Sequence, residues 1–174
     1  MDAYTVQTYA ADWLNGSGIT GLDTVWPALP SSMPLDFAAY GSGMMRCQAV
    51  AYAESDSDVR RSTPAANPYT GTRAAGMRMV RYAVRLEVVH WSADPDWMAA
   101  DRALKQDVVA GIRTAIHLDP TLGGAKTSEP LFHSAGEGKR GIQTAYEVPF
   151  VRDADGAREQ WAFLAFDVIA WETG

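Results

Sequence analysis

Arg78-Met79-Val80-Arg81-Tyr82-Ala83-Val84-Arg85-Leu86-Glu87-Val88-Val89-His90-Trp91 alternates: Val80, Tyr82, Val84, Leu86 and Val88 fall on one side, Arg81, Arg85 and Glu87 on the other. Side chains of a strand point to opposite faces in turn, so this period predicts a strand with one core face and one polar face. The period then changes. Asp94-Pro95-Asp96 predicts a helix start, with Asp94 as the N-cap and proline at the first helical position. Trp97, Ala100, Leu104, Val108, Gly111, Ile112 and Ala115 follow as an apolar stripe at helical spacing. Asp119-Pro120 ends the helix, because the residue before proline is pushed out of helical conformation, and Gly123-Gly124 completes the turn. An apolar strand face followed by an apolar helix stripe predicts one long helix lying on a sheet.

Outward from this pair, Val6, Tyr9, Ala10, Trp13 and Leu14 predict a short amino-terminal helix over 4–14, closed by Asn15-Gly16 in a left-handed end. Residues 17–43 carry Pro27, Pro30 and Pro34 and are expected to form an irregular connection. Residues 44–53 read as a strand, and 54–76, charged and poor in apolar residues, as a long loop. Ile142, Thr144, Tyr146, Val148 and Phe150 predict a strand with one buried face, followed by a turn at Asp153-Ala154-Asp155-Gly156. Residues 161–171 are apolar on both alternating sets except at Asp167, which predicts a central strand covered on both sides or at a subunit contact, in a hairpin with the one before it. The expected fold is therefore α+β, a single domain over 1–174. A mostly antiparallel mixed sheet is packed by one long helix and a short amino-terminal helix, with the long loop at 54–76.

With 174 residues and 47% hydrophobic content the chain can build a core. Its 21 acids outnumber its 15 Lys and Arg, for a net charge of −6, which opposes tight binding to a phosphate backbone. Cys47 is the single cysteine, so no internal disulfide can form, as suits a reducing cytoplasm. No basic and apolar leader pattern or membrane-length apolar run is present, so neither secretion nor a membrane partner is expected. Asn15-Gly16-Ser17 matches a glycosylation acceptor by chance.

Motifs for chemistry fail on context. Gly16, Gly18 and Gly21 have dinucleotide-fingerprint spacing, but a helix precedes them where a strand is required. Gly138-Lys139-Arg140 lacks both the earlier glycine, replaced by His133, and the hydroxyl after the lysine. His90, His117 and His133 show no helical zinc spacing, and His117 suits the negative end of the long helix. Cys47 lies among small residues with no cation to activate it, so a buried, inert thiol is expected. No catalytic, cofactor-binding or metal-binding residue is assigned.

Residues better suited to protein contacts remain. Trp26, in the proline-rich segment, and Trp171, near the carboxyl end, do not fit one small core and suit interface anchors. Asp167 needs a partner among Phe166, Val168 and Ile169, and an arginine of this or another subunit would supply it. Arg60, Arg61, Tyr69 and Arg73 lie in the 54–76 segment, which is expected to become ordered against a neighbouring chain.

The order of the pieces resembles the tail-terminator proteins of long-tailed bacteriophages, those of actinobacteriophages in particular. The resemblance rests on the loop around Val25-Trp26-Pro27, the strand ending Leu86-Glu87-Val88-Val89, the Asp119-Pro120-Thr121-Leu122-Gly123-Gly124 turn and the final strand from Phe163 to Glu172. It implies a structural virion protein, not an enzyme, with no cofactor. Copies would form a homo-oligomeric ring of six, assembled in the host cytoplasm, that caps the tail tube protein and meets the head-tail connector, DNA passing through without tight binding. Two alternatives stay open: another neck or head-completion protein, or a small ligand-binding domain or enzyme with Asp167 in a pocket between helix and sheet.

Overall fold

A computed structural model describes residues 3–28, 45–61, 77–92, 96–123, 132–135, 141–151 and 158–173. In chain order these form α1 (Ala3–Gly16), β1 (Thr24–Trp26), β2 (Met45–Arg61), β3 (Met77–Ser92) and then a continuous helical run. The run consists of α2 (Trp97–Arg102), a π-helical segment (Ala103–Val109) and α3 (Ala110–Leu118). β4 (Phe132–Ala135), β5 (Gln143–Tyr146), β6 (Phe150–Val151) and β7 (Arg158–Thr173) complete the chain. The sheet order is β1-β2-β3-β7-β4, with β5 and β6 also paired to β7. Among the described residues only the β1–β2 pairing is parallel, so the sheet is mixed and mostly antiparallel.

The register decides which residues form the core. Ala49, Val88 and Ala162 stand opposite one another across β2, β3 and β7, as do Ala51, Leu86 and Leu164. Small residues on β2 leave room for α1 to approach, and the buried face of α1 is Val6, Ala10, Ala11 and Leu14. The helical run adds Ala100, Leu104, Val108, Val109, Ile112 and Ile116, so the described helices cover one face of the sheet. Gly111 permits one close approach: a Cβ there would stand 2.9 Å from the Ile19 Cγ2, and the Ile19 side chain would have to shift.

Several expectations are corrected. The helix cap is Asp96, not Asp94: the Asp96 carboxylate accepts from the backbone N–H groups of Met98 and Ala99 at 3.0 and 3.2 Å. Trp97, placed on the apolar stripe, is half exposed because it stands at the first helical position, beyond the edge of the core. The loop expected over 54–76 begins later, since β2 runs on through Arg61 by pairing with β3, with register shifts between Ala53 and Ser55 and between Asp58 and Arg60. Backbone hydrogen bonds carry this extension where apolar side chains do not, and the two bulges absorb the mismatch. Residues 62–76, with Tyr69 and Arg73, lie outside the described residues.

Residues 17–28 contain a strand that the prolines concealed, β1, tied to α1 by Asn15. The Asn15 amide donates to the Val25 carbonyl and accepts from its N–H, at 2.9 and 2.8 Å. Asn15-Gly16 is therefore not the left-handed helix end, and the positive φ angles fall at Gly18 and Gly21. The strand expected over 142–150 is broken: β5 stops at Tyr146, and Tyr146 and Val148 are exposed. Pro149, which cannot donate to the ladder, separates β5 from β6. The predicted hairpin partner is right, since both segments pair with β7. The turn expected at 153–156 lies outside the described residues. No helix among the described residues is long and apolar enough to cross a membrane.

Candidate protein interface

Alternation that buries one sheet face turns the other outward, and no described helix packs on that outer face. Its rows follow from the register. Trp26 stands beside Val50, which stands opposite Glu87, Phe163 and then Ala145, and Tyr52, Arg85, Ala165 and Gln143 form the next row. Asp167 lies further along, opposite Ala83. Trp161 and Phe163 stack with ring centroids 6.3 Å apart, and the Arg85 guanidinium lies 4.8 Å from the Phe163 ring centre. The polar ends of this aromatic surface are hydrogen-bonded. Both Trp91 and Trp161 donate their indole N–H to the Glu159 carboxylate, at 3.1 and 2.6 Å, and Trp26 donates to the Gln48 Oε1 at 3.4 Å.

The charges on this face are paired with one another. Arg85 meets Glu87 at 3.0 Å and Arg81 meets Asp167 at 3.6 Å, all four side chains partly open to solvent. Such exposed pairs add at most about 1 kcal/mol each to folding. Their larger effect is to cancel charge, which lowers the cost of covering the face with another chain. Asp167 thus finds its arginine within its own subunit, and it lies on the sheet face away from the helices.

Of the sequence candidates, Trp26 and Asp167 belong to this face. Arg60 and Trp171 are brought into one backbone row, both beside Met79, while Arg61 falls opposite Arg78; only the backbone of Arg60, Arg61 and Trp171 is described. Sequence reasoning missed Trp161, Phe163, Arg81 and Arg85 as parts of the surface. A signal was present, since Trp161 and Phe163 share the parity of Asp167 on β7. No family model matches this chain, and no curated protein matches it.

The gap between helices and sheet lined by Ala10, Trp13, Leu14, Ile116, Leu122 and Phe166 has no room for a water molecule. On the core face, Cys47, His90 and Gln160 form a buried row across β2, β3 and β7. Burial, and secondarily the nearby Asp23 carboxylate, pushes the Cys47 thiol far up, so no reactive thiolate forms. Burial pushes His90 down to about 4 against the weaker pull of Asp23, and its Nδ1 has no hydrogen-bond partner. His90 is therefore a neutral core residue and neither solvent-exposed nor hydrogen-bonded through Nδ1. His117 is exposed in the last turn of α3, where it was expected. Among the described residues no three His, Cys, Asp or Glu side chains converge on a metal-sized site.

Proposed function

We propose that this chain is a structural subunit that works by covering its surfaces with other protein chains, as a ring-forming tail-terminator-like component of a bacteriophage virion. The observation that carries the reading is the outer sheet face, where Trp26, Trp161 and Phe163 are set among ion pairs that neutralise one another. Large, rigid aromatic groups beside arginine are the residues that most often dominate protein interfaces. Gln48, Val50, Val89 and Trp91 on this face are already buried, while Arg81, Arg85, Phe163 and Asp167 stay partly open, and a second chain is one way to cover them.

On this reading copies close into a ring of six that caps the tail tube protein and presents its other side to the head-tail connector. The order of elements behind the resemblance supports it: β1 with Trp26, β3, the long helical run closed at Asp119, and β7. Imaging of the purified full chain tests the proposal. Closed rings with a central hole are expected, and single particles of one subunit that bind a small molecule would contradict it.

A further inference from the structure

Among the described residues the sheet ends at β1 on one side, and an edge strand offers backbone N–H and C=O groups that template pairing with another chain. Around β1 these donors are withdrawn. The Asp23 N–H donates to the Cys47 carbonyl at 2.8 Å, and Pro27, which follows the strand, has no N–H. Between them the Val25 N–H and carbonyl are both taken by the Asn15 side-chain amide, at 2.8 and 2.9 Å. One donor and one acceptor exchanged with a single residue is the pattern by which antiparallel strands pair. Asn15 is exposed while Val25 is 2% exposed, so the amide lies on the solvent side of the edge, where a further strand would come. It guards Thr24-Val25-Trp26, three uncharged residues of kinds that favour strands.

We propose that the β1 edge is a strand-addition surface for a second copy of this chain, and that Asn15 holds it closed. Self-complementarity selects the second copy. About a two-fold axis at Val25, the N–H of each Val25 meets the carbonyl of the other, and an isologous contact of this kind closes at two subunits. Asp23 and Pro27 bound the usable edge to β1 itself, so a longer foreign strand gains no bonds beyond those that β1 of another copy supplies. The Asn15 side chain stands at the exposed end of α1 and can leave the edge without opening the core face of that helix, which is Val6, Ala10, Ala11 and Leu14. The inference does not depend on the ring reading.

The test compares the full chain with Asn15→Ala and Asn15→Lys by amide hydrogen exchange at Val25 and by sedimentation, each over a range of concentrations. Asn15 is exposed, so both variants are expected to fold with unchanged circular dichroism. Both lose the bonds to Val25, and at low concentration exchange there should quicken on the order of fivefold in each. They differ in guarding the edge, because a lysine on an edge strand repels a second copy of itself. As concentration rises, Asn15→Ala alone should gain mass over the parent chain by roughly twofold and recover slow exchange at Val25. Asn15→Ser, too short to reach both Val25 groups, should behave as Asn15→Ala and carries the test if the alanine variant unfolds. Association of Asn15→Lys equal to that of Asn15→Ala overturns the inference. So does an Asn15→Ala chain that keeps the parent's mass at every concentration.

Discussion

At the scale of single residues, His90 makes the clearest claim. It is buried between Cys47 and Gln160, with its folded-state pKa depressed by burial from 6.5 to about 4. The unfolded chain takes up a proton near pH 6.5 that the folded chain refuses, so stability is complete above pH 6.5 and falls as pH drops towards 4. The shift corresponds to a loss on the order of 3 kcal/mol across that window. Urea unfolding at pH 7 and pH 4.5 checks it: His90→Gln should show a smaller acid loss than the parent chain, and equal losses would contradict the buried, neutral assignment. Asp96 makes a second claim. Asp96→Ala should cost about 1 kcal/mol by freeing two backbone donors, while Asp94→Ala leaves the melting temperature nearly unchanged. The sequence presented two acids around Pro95, and composition could not say which would cap.

At the scale of elements, strands and the long helix were legible because their periods are written in apolar residues. The details that escaped were set by backbone geometry. Leu104, Val108, Ile112 and Ile116 recur every four residues, and in an α-helix such a row turns by about 40° at each step. The π-helical segment over Ala103–Val109, with its wider turns, counters that drift and keeps the row on the sheet. No propensity in the sequence announces a π segment. Leu104→Ala is expected to cost about 2–4 kcal/mol and Trp97→Ala no more than about 0.5 kcal/mol, since only Leu104 leaves a cavity. Denaturant midpoints measure both. The extension of β2 to Arg61 escaped for a related reason, since pairing with β3 supplies what the side chains of Glu54 to Asp58 do not advertise.

At the scale of the whole molecule, the two-layer arrangement followed from the sequence, while the candidate interface followed only in part. Trp26 and Asp167 stood out because each is an exception in its segment, but Trp161 and Phe163 look like core residues until parity on β7 is tied to the position of the helices. The net charge of −6 carries an expectation for a ring threaded by DNA: purified protein should not bind linear DNA tightly, since an acidic lumen lets phosphates pass. Salt-sensitive, sub-micromolar binding in a filter or anisotropy assay would contradict it. The central claim is that the chain acts as one copy in a closed assembly, and native mass spectrometry of the full chain over a range of concentrations tests it most directly. One species at six times the 18.9 kDa chain mass, unchanged on dilution, is the predicted result. A monomer at every concentration would contradict it.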